Sequence, residues 1–381
     1  MVGSSSEESA KLTAEEAAVY DRQIRLWGVE AQQRLRKARI LLVGMSSLGN
    51  EVCKNILLAG IKHLTILDDK TLTEKDFEQQ FFSGQEDVGK NRAEASLARS
   101  NDLNPMVDIV ADRENVKEKN EEFYKNFDVV CICDCPVETQ IKVNEICHRL
   151  GIKFLCGQVY GYYGYMFQDL GCHKYMEEVV KKAEIKKNAE DHDGPSEQKK
   201  KKMEQTETEY EEKLSEFCTL GEALKVSVFE NIKSERQAKQ VSKTYLVMKV
   251  LMEYEKQFGE LPQNMESNSK LQQLLDVRSE VFDQMNIDGE FLPDDFASFC
   301  VGQLFPVCPI VGGVMSQEII KAVSGKDAPH NNFFFYDGVS TSGVVQKITN
   351  ISNVKPTEPT KEQKNNLIST SNKAPVEEII L

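Results

Sequence analysis

Two arginines three residues apart, a glycine turn followed by acids, and a run of alternating cysteines are the places where this sequence could do chemistry. Arg22 and Arg25 sit within Tyr20-Asp-Arg-Gln-Ile-Arg-Leu-Trp-Gly28, on one face of the segment if it is helical. A guanidinium stays charged and forks onto phosphate or carboxylate oxygens, which suits it to neutralising an anion. The segment supports two readings. It is an amphipathic helix packed on the fold with both arginines solvated, or an arm that presents an arginine to another surface.

The glycine turn, Gly44-Met-Ser-Ser-Leu-Gly49, follows the apolar run Arg39-Ile-Leu-Leu-Val43 and precedes helical spacing over Asn50 to Ala59. His63-Leu-Thr-Ile-Leu67 then ends in Asp68-Asp69. Strand, glycine turn, helix, strand, acid is the order that sets phosphates on a helix N-terminus and a ribose near a carboxylate. A phosphate cradle needs glycine where backbone N–H groups approach closely, and here Ser46 and Ser47 fill the middle. Taken alone, the loop reads as a tight strand-to-helix turn.

Cys131, Cys133 and Cys135 alternate in Val129-Val-Cys-Ile-Cys-Asp-Cys135 and are expected on one face of a strand, as small core residues. No C-x-x-C pair occurs, so a structural zinc site is not expected, and Cys172 and Cys218 lack a local activating pattern. The net charge of −14 argues against nucleic-acid binding and favours basic partners. No apolar run approaching eighteen residues and no basic-then-apolar start stand out, so neither a membrane span nor a signal peptide is expected. The cysteine usage reads as intracellular.

The elements that would position these residues alternate strand and helix up to residue 150, which predicts a doubly wound α/β sheet. Thr13 and Glu16 form a capping box for a helix over residues 14–35, broken near Trp27-Gly28. Lys153 to Leu170 reads as a hairpin pair, Phe296 to Phe305 as helix, and Pro306 to Val323 as a buried helix that Gly312-Gly313 lets another element approach. Asn332 to Gly338 and Gly343 to Ile348 form a terminal hairpin turning through Asp337-Gly338. The domain reading is a flexible 1–13, an α/β domain over 14–170, an inserted helical domain over 171–285 whose charged stretch 177–216 is a mobile loop, a return to the α/β domain over 286–348, and a disordered tail over 349–381. Lys199 to Lys202 is a candidate nuclear import signal.

Four separated blocks carry a family resemblance: Tyr20 to Gly28, Val88-Gly-Lys-Asn-Arg-Ala-Glu-Ala95, Gly312-Gly-Val-Met-Ser-Gln-Glu318, and Pro329-His-Asn-Asn-Phe-Phe-Phe335. Together they resemble the E1 ubiquitin-like-modifier activating enzymes, and within them the smaller subunits of the SUMO-activating branch. The resemblance implies a Rossmann-like adenylation fold of the ThiF/MoeB type. It also implies a reaction in which the C-terminal glycine of a ubiquitin-like protein is adenylated with Mg-ATP and passed to a cysteine as a thioester. In the heterodimeric forms two related adenylation folds pack as a pseudo-dimer and one of them is active.

This chain is similar to the inactive half. Ser46 and Ser47 stand where the active pattern has glycine, Lys70 where it has the ribose acid, and Gln79 where it has an arginine for the triphosphate. Arg92 replaces a phosphate lysine, and Cys135-Pro136 replace the magnesium aspartate and its asparagine, with Asp134 one residue away. The resemblance therefore implies no cofactor-binding and no metal-binding residues here, with Mg-ATP bound mainly by the partner and the isolated chain inactive. It assigns Arg22 as the catalytic residue, reaching in trans to ATP in the partner, with Arg25 as second candidate. The implied partners are the large catalytic subunit of the SUMO-activating enzyme, SUMO, and transiently the SUMO E2 conjugating enzyme, in the nucleus and also the cytoplasm. The competing readings are the matching subunit of the neddylation-activating enzyme, a scaffold of the same fold, and an NAD-dependent oxidoreductase.

Overall fold

The computed structural model describes residues 12–182, 206–229, 241–262 and 268–349. The chain enters through three short helices, α1 (Ala14–Val19), α2 (Asp21–Trp27) and α3 (Val29–Leu35), so the N-terminal helix breaks at Tyr20 as well as at Gly28. The Thr13–Glu16 capping box is formed, with Oγ1 of Thr13 accepting from the Glu16 N–H at 3.1 Å. Then follow β1 (Arg39–Val43), α4 (Ser47–Ala59), β2 (His63–Leu67), α5 (Glu74–Glu78), α6 (Arg92–Leu103), β3 (Asp108–Asp112), α7 (Glu121–Tyr124), β4 (Val129–Cys133), α8 (Val137–Leu150), β5 (Lys153–Tyr160) and β6 (Tyr163–Asp169). A ribbon of β7 (Cys172–Lys182) and β8 (Thr206–Glu216) leads to α9 (Leu220–Lys225), α10 (Lys243–Phe258), α11 (Asn268–Met285), α12 (Val307–Ser324), β9 (Phe333–Asp337) and β10 (Ser342–Gln346).

One sheet of eight strands, ordered β10-β9-β6-β5-β4-β1-β2-β3, forms the centre. The five strands from β5 to β3 are parallel, while β6, β9 and β10 add antiparallel hairpins at one edge. β2 and β4 are buried throughout and β1 nearly so, because helices cover both faces; this is why they read as unbroken apolar runs. β1 feeds β2 on one side and is flanked by β4 on the other. The topological switch therefore falls at the carboxyl ends of β1 and β4, where doubly wound sheets open a crevice.

α4 and α12 pack over one face. A methyl added at Gly312 would sit 2.8 Å from Cβ of Glu51, whereas Gly313 faces open space, so only the first glycine serves the close approach. By length and composition alone α12 is apolar enough to cross a membrane, a test that a buried core helix also passes. In this fold Val311, Met315 and Ile319 bury it against Leu48, Val52 and Ile56 of α4.

Four sequence expectations differ from the structure here. The charged stretch after residue 171 contributes a two-stranded antiparallel ribbon, paired from Cys172–Glu216 to Lys182–Thr206. Its lysines and glutamates pair across the strands, Lys174 with Glu212 at 3.1 Å and Lys213 with Glu177, while His173 and Tyr175 turn inward. The helices after it do not build a separate domain. Tyr245 of α10 packs edge-on against Phe335 of β9 at 5.9 Å, and Oγ1 of Thr244 donates to the Tyr336 carbonyl at 3.1 Å, so α10 and α11 share the core of the sheet's other face. Residues 296–305 are not a helix beyond the single turn Asp294–Ser298. Their carbonyls are committed elsewhere: Phe299 accepts from the Tyr162 N–H at 2.8 Å and Gly302 from the Gly161 N–H at 2.6 Å. The terminal hairpin forms, with four residues between Asp337 and Ser342 rather than a turn through Asp337-Gly338. Lys199–Lys202 and residues 350–381 lie outside the described residues.

Candidate functional site

The crevice at the strand ends holds a cavity of about 800 Å³, bordered by Ser46, Ser47, Gln79, Arg92, Asp134 and Gln303. Gly44 has φ +88° and Gly49 faces its carbonyl, so a side chain on either would overlap backbone. These glycines close the turn tightly, and Ser46 caps α4 by accepting from the Gly49 N–H at 3.4 Å.

Along the turn the chain's own polar groups engage one another. The buried Asp68 carboxylate accepts from the Met45 N–H at 2.6 Å and the Lys70 N–H at 2.8 Å. Nε of Arg92 lies 3.1 Å from Oδ2 of Asp68 and Nη1 lies 3.7 Å from Oδ1 of Asp76, so this guanidinium faces two carboxylates. Oγ of Ser47 donates to Oε1 of Gln79 at 3.2 Å, and Nε2 of Gln80 donates to the Met45 carbonyl at 3.0 Å. Asp69, the other acid after β2, takes a 2.6 Å hydrogen bond from Asn115. Asp134 has φ +63° just past β4, and burial raises its carboxyl above the ordinary range against the pull of Lys70 and Arg92. These residues do not fit a magnesium triphosphate. The loop middle carries side chains, the cation is already neutralised, and Cys135-Pro136 offers no hard oxygen ligand. Among the described residues no cluster of three His, Cys, Asp or Glu is arranged to hold a metal.

The thiols of Cys133 and Cys135, beside the crevice, are kept protonated by their surroundings. Cys131 and Cys133 are buried in β4, whereas Cys135 lies beyond the strand's end and outside the expected alternation. A hydrogen bond with Cys131 and burial push the Cys133 thiol well up, and burial pushes Cys135 up to about 12.

The arginine arm is built differently. Tyr20 is buried, with its ring packed under Gly60, where φ is +78° and a side chain would overlap the phenol. Nε2 of Gln23 donates to the Leu58 carbonyl at 2.9 Å, and Nε1 of Trp27 donates to Gln32 at 3.1 Å. The first clamps α2 against the end of α4, and the second ties it to Gln32 of α3, whose amide donates to the Ala59 carbonyl at 2.9 Å. Arg25 pairs with Asp21 one turn back at 3.0 Å, both largely exposed. Arg22 is exposed and has no hydrogen bond or ion pair among the described residues. Val19 and Leu26 on the arm, and Leu58 at the end of α4, are exposed as well.

Sequence reasoning placed Arg22 and Arg25 on this arm and Ser46, Ser47, Gln79 and Arg92 around one crevice. It missed Asp76, which gives Arg92 its second carboxylate, and Glu255 of α10. Burial and the neighbouring Glu138 push Glu255 up to about 7. The run Thr73-x-x-Asp76 at a helix start was the one signal for Asp76, whose carboxylate also caps α5.

A doubly wound sheet that opens a crevice at its switch point defines the Rossmann-like class of folds, and comparison with known proteins gives the family. The model of the ThiF family matches residues 20–360, and the chain belongs to that family. It is 47% identical over 338 residues to a Xenopus laevis protein named SUMO-activating enzyme subunit 1, covering 89% of this chain and 97% of that protein. The Homo sapiens protein of that name is 44% identical over 335 residues, covering 88% and 96%. The Danio rerio one is 44% identical over 346 residues, covering 91% and 98%.

Proposed function

We propose that this chain is the small, non-adenylating subunit of a heterodimeric SUMO-activating enzyme, and that it lends Arg22 to an ATP site in its larger partner. One observation carries the proposal. Of the arginines in the matched blocks, Arg92 is buried between carboxylates and Arg25 is paired with Asp21, while Arg22 stands exposed and unpaired among the described residues on a clamped arm. The names of the relatives support the pathway, and the crevice's side-chain-bearing loop and carboxylate-paired Arg92 support the division of labour.

In the proposed reaction the C-terminal carboxylate of SUMO attacks the α-phosphate of ATP held by the partner, and pyrophosphate leaves. Arg22 neutralises charge on the phosphate oxygens as the bond to pyrophosphate breaks, which a fixed guanidinium does without reorganisation cost. A cysteine thiolate of the partner then attacks the adenylate's carbonyl carbon, AMP leaves, and the SUMO thioester so formed passes its acyl group to a cysteine of the E2 conjugating enzyme, freeing the partner's thiolate. Lys199–Lys202 supports work in the nucleus.

Reconstitution tests this reading. ATP–pyrophosphate exchange is expected for the chain together with the large SUMO subunit and SUMO, and not for the chain alone with any modifier. Exchange by the isolated chain, or exchange only with the neddylation modifier and its partner, would overturn it.

A further inference from the structure

A second cavity, of about 520 Å³, opens between α8, the end of α9, and the facing sides of α10 and α11. It shares no lining residue with the crevice at the strand ends. Its floor is apolar, formed by Ile141, Tyr245, Met252, Val281 and Met285. Lys249 of α10 also lines it. The ammonium donates to the Leu224 carbonyl at 3.0 Å and has no ion pair among the described residues, so one of its three donors is used. Burial holds this lysine below its ordinary range, with Glu253 opposing the shift. Glu253 is engaged elsewhere, 3.3 Å from Nζ of Lys256 and 3.2 Å from Nε2 of Gln257.

A cation set in an apolar wall is stabilised by an anion that brings its own apolar body. The charged residues of the lining are Lys225, Lys249 and Lys256 against Glu138 and Glu253, which leaves one positive charge. That balance fits a monoanion better than a phosphate dianion. The volume lies within the range of about 300–1,000 Å³ usual for small-molecule sites, which pair an apolar lining with a few placed polar groups.

We propose that this cavity binds a compact amphipathic monocarboxylate, an aliphatic or aryl carboxylic acid, with the carboxylate on Lys249 and the tail against Tyr245, Met252 and Met285. SUMO activation as proposed above makes no use of it, so the two readings stand or fall separately.

Decanoate, with uncharged decanol as control, is the probe. The full chain is treated with an amine-acetylating reagent, and the modified lysines are read by peptide mass spectrometry. Decanoate at ten times its Kd is expected to slow acetylation of Lys249 about tenfold while leaving the exposed Lys62 unchanged. Decanol is expected to protect far less. In calorimetry Lys249→Met is expected to weaken decanoate roughly tenfold to a hundredfold, the worth of one charge-assisted contact. No protection by decanoate, equal protection by decanol, or unchanged affinity in the variant would each overturn the proposal. If Lys249→Met does not fold, the labelling of the unaltered chain decides.

Discussion

Asn104 donates a 3.0 Å hydrogen bond from its side-chain amide to the phenol oxygen of Tyr20, and a second of 2.6 Å to the Leu57 carbonyl. One amide thus ties the break between α1 and α2 to the last turn of α4. Arg22 lies two residues past Tyr20, so a buried phenol sets the position of an exposed guanidinium. Preorganisation of this kind is what a charge offered to a distant phosphate needs, because a loosely held arginine would lose entropy on each encounter.

Arg22→Ala is expected to leave the chain's own stability within about 0.5 kcal/mol of the parent, since an exposed side chain without partners is removed. The heterodimer should still assemble on size-exclusion chromatography. ATP–pyrophosphate exchange by that heterodimer should fall by about 10³ or more, the lower end of what a trans arginine supplies in other phosphoryl-transfer systems. Arg22→Lys should recover only part of the loss, because a point charge does not fork. An Arg22→Ala heterodimer that exchanges at the parental rate would remove the role.

Tyr20→Phe separates placement from charge. It keeps the ring under Gly60 and deletes only the oxygen that Asn104 reaches. Denaturant unfolding should show a loss of about 1 kcal/mol. Exchange should slow less than in Arg22→Ala, because the guanidinium remains but its base is looser. If Tyr20→Phe slows exchange as much as Arg22→Ala does, the phenol has a role beyond holding the arm.

The sequence made some of this legible and hid the rest for physical reasons. β1, β2 and β4 were readable because burial on both faces selects unbroken apolar runs such as Ile40-Leu-Leu-Val43. The β7–β8 ribbon was not readable, because lysine and glutamate paired across strands leave the composition of a solvated loop. Residues 296–305 misled because apolar spacing records burial, which Phe296, Ala297 and Cys300 do show, and not where the backbone carbonyls bond. Ser46, Ser47, Gln79 and Arg92 were visible as departures from a pattern. That Ser47 meets Gln79, and Arg92 meets Asp68 and Asp76, depends on chain crossings that no local window contains.

Arg92→Met tests the reading of the crevice. Asp68 would keep two backbone donors but lose its cation, and Asp76 would lose its distant one. Removing one member of a buried pair should destabilise the chain by about 3 kcal/mol in chemical denaturation. Titration with Mg-ATP should detect no binding to either the parent or the variant chain. Saturable nucleotide binding to the isolated parent would contradict the reading of this crevice.

Glu255 gives a pH dependence of fixed sign. Its carboxyl is pushed from 4.5 to about 7, first by burial and then by Glu138, against the Val137 N–H and Lys70. The folded state therefore binds this proton more tightly than the unfolded state. The stability this provides is full below pH 4.5 and is lost as the pH rises through about 7. Glu255→Gln, permanently neutral, is expected to raise Tm above pH 7 and to have little effect below pH 4.5. Scanning calorimetry of both chains across that range should show the two curves converging towards acid; a constant offset would mean that the carboxyl does not titrate differently on folding.

The adjacent glycines of α12 should respond in opposite directions. Gly312→Ala places a methyl 2.8 Å from Cβ of Glu51, on a helix pair that cannot part without opening the core between Leu48 and Val311. Overpacking of this kind should cost about 1–3 kcal/mol. Gly313→Ala meets nothing within 4 Å and replaces a poor helix former by the best, so the isolated chain should gain up to about 1 kcal/mol. The open side of Gly313 borders Leu58 and Ile320, beside the arm that carries Arg22. If the partner subunit packs on that face, Gly313→Ala should weaken the heterodimer although it stabilises the monomer. Denaturant unfolding of the chain and calorimetric titration of the partner into it separate the two effects. A variant that is more stable and binds the partner with parental affinity would place the interface away from α12.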